Sequence, residues 1–170
     1  HRISTNSLNV VNPGSKIKLG NFEVEFVRVT HSIPDACALA ITTGVGTIFH
    51  TGDFKVDYTP IDGQVMDLHR IAELGSKGVL LMMGESTNVE RPGYTLSESN
   101  VGHTLDEIFS EATSRILIAT FASNVHRLQQ IINAAYKNGR KVTTSGRSMV
   151  NVVNVARNLG YLNIPDNTFI

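Results

Sequence analysis

The apolar residues of this 170-residue sequence repeat with two different periods, and this change along the chain limits the fold more than any other feature. From Phe22 to Val29 apolar and polar residues alternate, which predicts a half-buried β-strand. The apolar segments Cys37–Thr43, Thr47–His50 and Val79–Met83 predict three more strands, the last of them buried. Between them, the apolar spacing over Met66–Leu74 predicts a helix. The first half is therefore expected to be rich in strands.

The second half instead predicts alternating helices and strands. Asn88–Asn100 is polar and is expected to be a linker, and the capping box Thr104–Glu107 predicts the start of a helix. A buried strand over Ile116–Phe121, a helix capped by Ser123, a strand over Lys141–Thr144 and a third helix follow. Such alternation predicts a parallel, three-layer α/β unit with right-handed crossovers.

Charge is distributed unevenly between these parts. Fifteen Lys and Arg balance fifteen Asp and Glu over the whole sequence, but the stretch from Ala112 to Pro165 contains seven basic residues and no acidic one. Asymmetry of this kind indicates contact with nucleic acid, while solvated helix faces are the alternative explanation.

Several classes of protein are excluded by composition. A single cysteine, Cys37, rules out an internal disulfide framework and a zinc site with several cysteines. No apolar run approaches the ~20 residues that span a membrane. The N-terminal residues His1–Ser4 have neither an initiator methionine nor the apolar core of a signal peptide. We therefore expect a cytoplasmic protein, of which this sequence is an excised piece.

Two loops that follow predicted strands carry side chains able to bind a metal. They contain His31 in the sequence Thr-His-Ser and Asp53 in the sequence His-Thr-Gly-Asp. A strand end fixes the backbone and so aims the next side chain, and Gly52 permits a tight turn. Imidazole nitrogen and carboxylate oxygen suit zinc and other transition metals. A structural histidine at a strand end is the alternative interpretation.

Glu85 is a third candidate, at the end of the strand predicted over Val79–Met83. Its carboxylate could act as general acid and base or orient a metal ligand. The alternative is a carboxylate that caps the turn Ser86–Asn88, and the sequence leaves both interpretations open.

Two strand-to-helix turns, Thr120–Asn124 and Thr144–Ser148, are candidates for binding an anion. Helix N-termini at the carboxyl ends of parallel strands present free N–H groups to phosphate. His126, Arg127 and Arg147 add basic side chains nearby. Simple N-capping by a serine in each turn is the alternative.

Four segments, taken in order, resemble the ribonuclease J family of the metallo-β-lactamase superfamily, in its β-CASP branch. They are Thr-His-Ser-Ile-Pro-Asp (30–35), His-Thr-Gly-Asp-Phe-Lys (50–55), Gly-Glu-Ser-Thr-Asn (84–88) with Glu-Arg-Pro-Gly (90–93), and Ala-Thr-Phe-Ala-Ser-Asn-Val-His-Arg-Leu-Gln-Gln (119–130). The resemblance extends from about Phe22 to Ile170. It implies a partial metallo-β-lactamase αββα sandwich over residues 1–87 and part of a three-layer α/β β-CASP domain over residues 88–170.

The resemblance also implies an activity. In this family two zinc ions generate a hydroxide that cleaves RNA phosphodiesters, both 5′–3′ exonucleolytically and endonucleolytically. By resemblance His31 and Asp53 are zinc ligands, with Asp53 bridging, and Glu85 is the acidic residue of the first β-CASP motif. The family usually has Asp there, whereas other β-CASP proteins have Glu. By resemblance Ser123, Asn124 and His126 are expected to bind RNA, and the basic stretch adds Arg147 as a fourth expected RNA-binding residue.

One departure from the family pattern limits this expectation. The main ligand motif, His-x-His-x-Asp-His, is absent from the sequence. We therefore expect an internal segment of a ribonuclease that is inactive alone, while the intact protein is a cytoplasmic, metal-dependent homo-oligomer.

Two other functions remain open. A non-catalytic α/β module that binds nucleic acid would explain the basic stretch without catalysis. A small-molecule hydrolase of the metallo-β-lactamase fold is a third possibility, disfavoured by the β-CASP-like half, which such enzymes do not need.

Overall fold

A computed structural model describes residues 8–170; the N-terminal segment considered above for a signal peptide lies outside the described residues. Its strands are β1 (Lys16–Leu19), β2 (Phe22–Arg28), β3 (Cys37–Thr43), β4 (Gly46–His50) and β5 (Leu81–Met83). Its helices are α1 (Leu68–Lys77), α2 (Glu98–Glu111), α3 (Val125–Lys137) and α4 (Arg147–Asn158). The mixed α/β class predicted from the sequence is confirmed.

The strands form one sheet in the order β1-β2-β3-β4-β5. The first four pair antiparallel with their neighbours, and β5 pairs parallel with β4. Successive side chains of a strand point to opposite faces, so Val24 lies on one face of β2 and Val27 on the other, yet both are buried, which the period-two pattern does not predict. The positions of the strands in the chain do agree with those predicted. The predicted strands β2, β3 and β4 are therefore confirmed to within a residue at their ends.

Helix α1 covers this sheet. Asp67 caps the helix by accepting a hydrogen bond from the Arg70 N–H at 2.9 Å. Its residue Leu74 packs against a core in which Ala38 and Ala40 are at most 1% exposed. The helix starts and ends a few residues later than predicted, because Gly75 continues it and Gly78 ends it.

The burial predicted for the fifth strand is wrong. Strand β5 forms, but Leu81, Met82 and Met83 remain 48–65% exposed. Within residues 8–170 this strand pairs only with β4, so its apolar side chains lack the cover that a central strand would have.

The chain divides into two units by the contacts of its backbone. The first unit comprises residues up to Thr30 together with Asp35–Val56 and Met66–Pro92. The second comprises His31–Pro34, Asp57–Val65 and Gly93–Ile170. The sheet and α1 lie in the first unit, and the other three helices lie in the second. The domain boundary between residues 87 and 88 stays a prediction.

The first helix of the second unit begins six residues before the predicted capping box. Ser97 caps α2 by accepting from the Ser99 N–H, and the buried carboxylate of Asp57 accepts from the Glu98 N–H at 3.0 Å. Thr104 lies inside the helix, so the predicted capping box and the last three residues of the predicted linker are wrong. A contact 41 residues away in sequence stabilises this start, which local sequence signals do not contain.

Helices α3 and α4 form where they were predicted. Their apolar faces bury Leu128, Ile132, Val153 and Ala156 in a shared core. Asn124, rather than the predicted Ser123, caps α3, since its Oδ1 accepts from the Arg127 N–H at 3.0 Å.

The predicted strands of the second unit are largely wrong. Residues 116–121 form no strand, and Leu117 and Phe121 are more than four-fifths exposed. The predicted strand at Lys141–Thr144 is reduced to a single parallel bridge between Val142 and Phe169. A parallel strand needs partners distant in sequence, and residues 8–170 supply only this one bridge. Across that range, none of the helices combines the length and the apolar character needed to cross a lipid bilayer.

Candidate active site

The carboxyl ends of three strands meet at one edge of the sheet in the first unit. Strands β2 and β4 run in the same direction because each is antiparallel to β3, and β5 is parallel to β4. At this edge, the Lys55 N–H donates to the Thr30 carbonyl at 2.7 Å, and the Thr30 hydroxyl donates to the Lys55 carbonyl. The loops that carry the residues predicted from the sequence therefore start from the same end of the sheet.

Asp53 stands on a tight turn directly after β4. Gly52 adopts a positive φ of 60°, and a Cβ placed there would lie 3.0 Å from the Cys37 carbonyl oxygen. The Gly52 N–H also donates to His50 Nδ1 at 3.0 Å. Only glycine adopts this conformation without strain this close to another backbone. The turn leaves the Asp53 side chain exposed, where a ligand can reach it.

A buried threonine joins this turn to the loop after β5. Thr51 is 4% exposed, and its N–H donates to the Met83 carbonyl at 3.0 Å. Its hydroxyl donates to the Gly52 carbonyl at 2.8 Å and accepts from the Glu85 N–H at 3.1 Å. Sequence reasoning missed Thr51 because its partner lies 34 residues away. Its place between a strand and the Gly-Asp turn was the only available signal.

Glu85 is half-buried, and its Oε2 accepts from the Thr87 N–H at 2.9 Å. This is the contact that the capping alternative predicts. The catalytic role of Glu85 therefore stays a prediction.

His31 follows Thr30 in sequence but groups with the second unit, where its Nε2 lies 3.4 Å from Ser32 Oγ. Burial raises the pKa of the Cys37 thiol, which disfavours the thiolate that binds metals. Among residues 8–170, no group of three or more His, Cys, Asp or Glu side chains could hold a metal ion. The donor types of His31 and Asp53 suit zinc, but the described residues do not make up a complete zinc site.

The four RNA-binding candidates differ in their surroundings within the second unit. Asn124 is occupied as the N-cap of α3, and His126 Nε2 lies 3.9 Å from an Asp62 carboxylate oxygen. Ser123 and Arg147 are exposed. Their binding roles stay predictions, and exposure favours the last two as contacts for a ligand.

Several basic side chains between Ala112 and Pro165 already have partners within the protein, so fewer of them can bind a ligand than the composition indicates. Arg127 pairs with Glu98, which its Nη2 contacts at 3.0 Å, and Lys137 pairs with Asp106 at 2.8 Å. Arg140 and Lys141 donate to backbone carbonyls. The basic side chains of the stretch that make no ion pair or hydrogen bond with any described residue are those of Arg115, Arg147 and Arg157, all exposed. These three are the best placed to meet a phosphate.

A crystal structure of a protein of unknown function from Enterococcus faecalis V583 has a similar fold. It matches 96% of this chain and 41% of its own length, with a TM-score of 0.66 and 22% sequence identity.

Comparison with known sequences finds similarity to one family. A family model described as the β-CASP domain of ribonuclease J matches residues 113–170. Ribonuclease J of Synechocystis is 51% identical over 165 residues, which are 96% of this chain and 26% of that protein. Ribonuclease J of Thermus thermophilus is 46% identical over 96% of the chain and 29% of its own length. The chain thus spans less than a third of these relatives. The resemblance predicted from the four motifs is therefore confirmed: in sequence, this chain is similar to a segment of ribonuclease J.

Proposed function

We propose that this chain is a working part of a metal-dependent ribonuclease that hydrolyses RNA phosphodiesters during mRNA decay and rRNA processing. The observation that carries this proposal is the edge of the sheet at which the loops with Asp53 and Glu85 are joined by hydrogen bonds through Thr51. The sequence similarity to ribonuclease J supports the reaction class. Both 5′–3′ exonuclease and endonuclease activity are part of the proposal.

The proposed roles follow from the side chains. His31 and Asp53 offer a nitrogen and an oxygen donor for zinc, with two ions in the complete site. Further ligands are part of this proposal, because the described residues hold no group of three. Glu85 is proposed to move a proton at its carboxylate or to orient a neighbouring group.

The same proposal covers the organisation of the protein. Residues 1–87 are proposed to belong to a metallo-β-lactamase sandwich, and residues 88–170 to a β-CASP domain that contacts RNA. The intact enzyme is proposed to be cytoplasmic and homo-oligomeric, and the 170-residue chain alone is proposed to be inactive.

The test compares variants of a full-length ribonuclease J that carries this sequence. Asp53→Asn and His31→Ala are expected to abolish hydrolysis of an end-labelled single-stranded RNA in the presence of zinc. His69→Ala is the control, since the His69 side chain is 87% exposed and, among residues 8–170, its ion-pair partner is Glu73 on its own helix. Full activity of Asp53→Asn would refute the assignment of the metal site. Zinc-dependent hydrolysis by the isolated chain would refute its proposed inactivity.

The exposed cations favour a second candidate, a non-catalytic module that binds nucleic acid. Arg147 lies in the first turn of α4, where free N–H groups add to its charge. Under both functions Arg147→Glu should weaken RNA binding, and the affinity should fall steeply with salt. Salt-dependent binding by a full-length protein that never hydrolyses RNA would favour the second candidate.

A further inference from the structure

We propose that Thr51 is a positioning residue, whose hydroxyl holds the Glu85 loop in register with the turn that carries Asp53. This inference rests on the proposed function, because it assigns a task to Thr51 in the same site. It concerns a residue that carries no charge and that was not among the candidates from sequence.

The hydroxyl of Thr51 both donates and accepts a hydrogen bond. A threonine hydroxyl has one proton to donate, and here it goes to the Gly52 carbonyl at 2.8 Å. The oxygen accepts from the Glu85 N–H at 3.1 Å. One oxygen atom therefore contacts the backbone on both sides of the candidate site, directly before Asp53 and at Glu85 itself.

The surroundings of Thr51 leave this oxygen little freedom. The residue is 4% exposed, so water does not readily replace the hydroxyl as a partner. The Thr51 N–H to Met83 carbonyl bond extends the pairing of β4 with β5 by one step and fixes the backbone from which the side chain projects. In addition, Gly52 lies close to the Cys37 carbonyl and limits movement of the turn.

Loss of the Thr51 hydroxyl should therefore change the position of the Glu85 loop relative to Asp53, while the fold is kept. Thr51→Val preserves the shape of the side chain but leaves the Glu85 N–H without its partner. The Glu85 loop is then free to shift relative to Asp53. Misplacement of a catalytic group by about 1 Å can lower a rate by about a hundredfold, while contacts that bind RNA elsewhere on the protein are unchanged.

The experiment uses a full-length ribonuclease J that carries this sequence, with single-stranded RNA as substrate. Thr51→Val is expected to lower kcat by about tenfold to a hundredfold, with KM close to that of the wild type. Thr51→Ser retains the hydroxyl and should restore kcat. Hydrogen exchange of the peptide that contains Glu85 should be faster in the valine variant and normal in the serine variant.

Thr42→Val is the matched control, because Thr42 lies in the same sheet and, within residues 8–170, its hydroxyl forms an exposed hydrogen bond with the hydroxyl of Thr47, at 3.3 Å. If the valine variant at position 51 fails to fold, Thr51→Ala takes its place with the same expected results. Wild-type kcat in the variant without the hydroxyl, or equal losses in the valine and serine variants, would overturn the inference. A wild-type protein without activity would instead refute the proposed function, and the exchange measurement would still decide whether the hydroxyl holds Glu85.

Discussion

An ion pair between α1 and β2 gives the sharpest test of how the first unit is held together. Arg70 Nε and Nη2 donate to the two Glu25 carboxylate oxygens at 2.6 and 2.8 Å. The two side chains are only 22% and 10% exposed. Replacing Arg70 with methionine keeps most of the volume and removes both hydrogen bonds, so a nearly buried carboxylate loses its main partner.

The expected loss is about 2–3 kcal/mol of unfolding free energy. Removing one partner from a fully buried pair costs about 3–5 kcal/mol. Here the loss is smaller because the Lys16 ammonium lies 3.4 Å from Glu25 and keeps part of the compensation. Lys137→Met is the comparison: its pair with Asp106 is exposed, with 68% and 43% of the side chains accessible. That variant should lose less than about 1 kcal/mol.

Urea unfolding followed by circular dichroism measures these losses, and a double-mutant cycle with Glu25→Gln isolates the pair. The double variant should lose less stability than the two single losses added together. Strictly additive losses would refute the reasoning.

The pair should also depend on pH. Arg70, by its hydrogen bonds, holds the pKa of Glu25 below its ordinary value. The pair therefore stabilises the folded state above the ordinary glutamate pKa, and this contribution is lost as the pH falls through the lower, folded pKa. The difference between wild type and Arg70→Met should shrink below about pH 4. A difference that stays constant down to about pH 2 would contradict this assignment.

Two further predictions concern single residues. Gly52→Ala should destabilise the protein by about 1–2 kcal/mol and lower activity, because alanine resists the positive φ, whereas Gly44→Ala, in open space, should leave unfolding in urea almost unchanged. Arg127→Gln should lower the melting temperature, because it breaks the contact with Glu98. Arg147→Gln should leave the melting temperature unchanged and reduce the slope of log affinity against log salt concentration for RNA binding by about one. The opposite pattern of melting temperatures would contradict the assignment of Arg127 as structural.

Local sequence patterns predicted those helices and strands whose signals lie within the element itself. The alternation over β2 and the apolar spacing of α3 and α4 predicted these elements close to their observed positions. The start of α2 was missed because Asp57 supplies part of its cap from 41 residues away. The apolar run 116–121 was misread for a related reason: β-propensity is satisfied only where partner strands are at hand.

In the candidate site, too, some features could be predicted from the sequence and others could not. Asp53 and Glu85 could be identified because strand ends are visible in a sequence, and the Gly52 turn behaves as its glycine predicts. The link through Thr51 could not be identified, since a hydroxyl that joins two loops has no signature in spacing. The basic stretch was overestimated because two of its cations meet acidic residues of α2.

The path of the chain between its two units has a consequence for anyone who wishes to divide or recombine this protein. Residues 57–65 precede the last strand of the sheet but group with the helices of the second unit, where Asp57 accepts from Glu98 and Asp62 lies near His126. A cut at residue 87 would therefore leave the helical part without a carboxylate at the start of α2. A transplanted helical part that retains these contacts must take along residues 57–65 from inside the other half, and recombination at a single junction will fail to supply them.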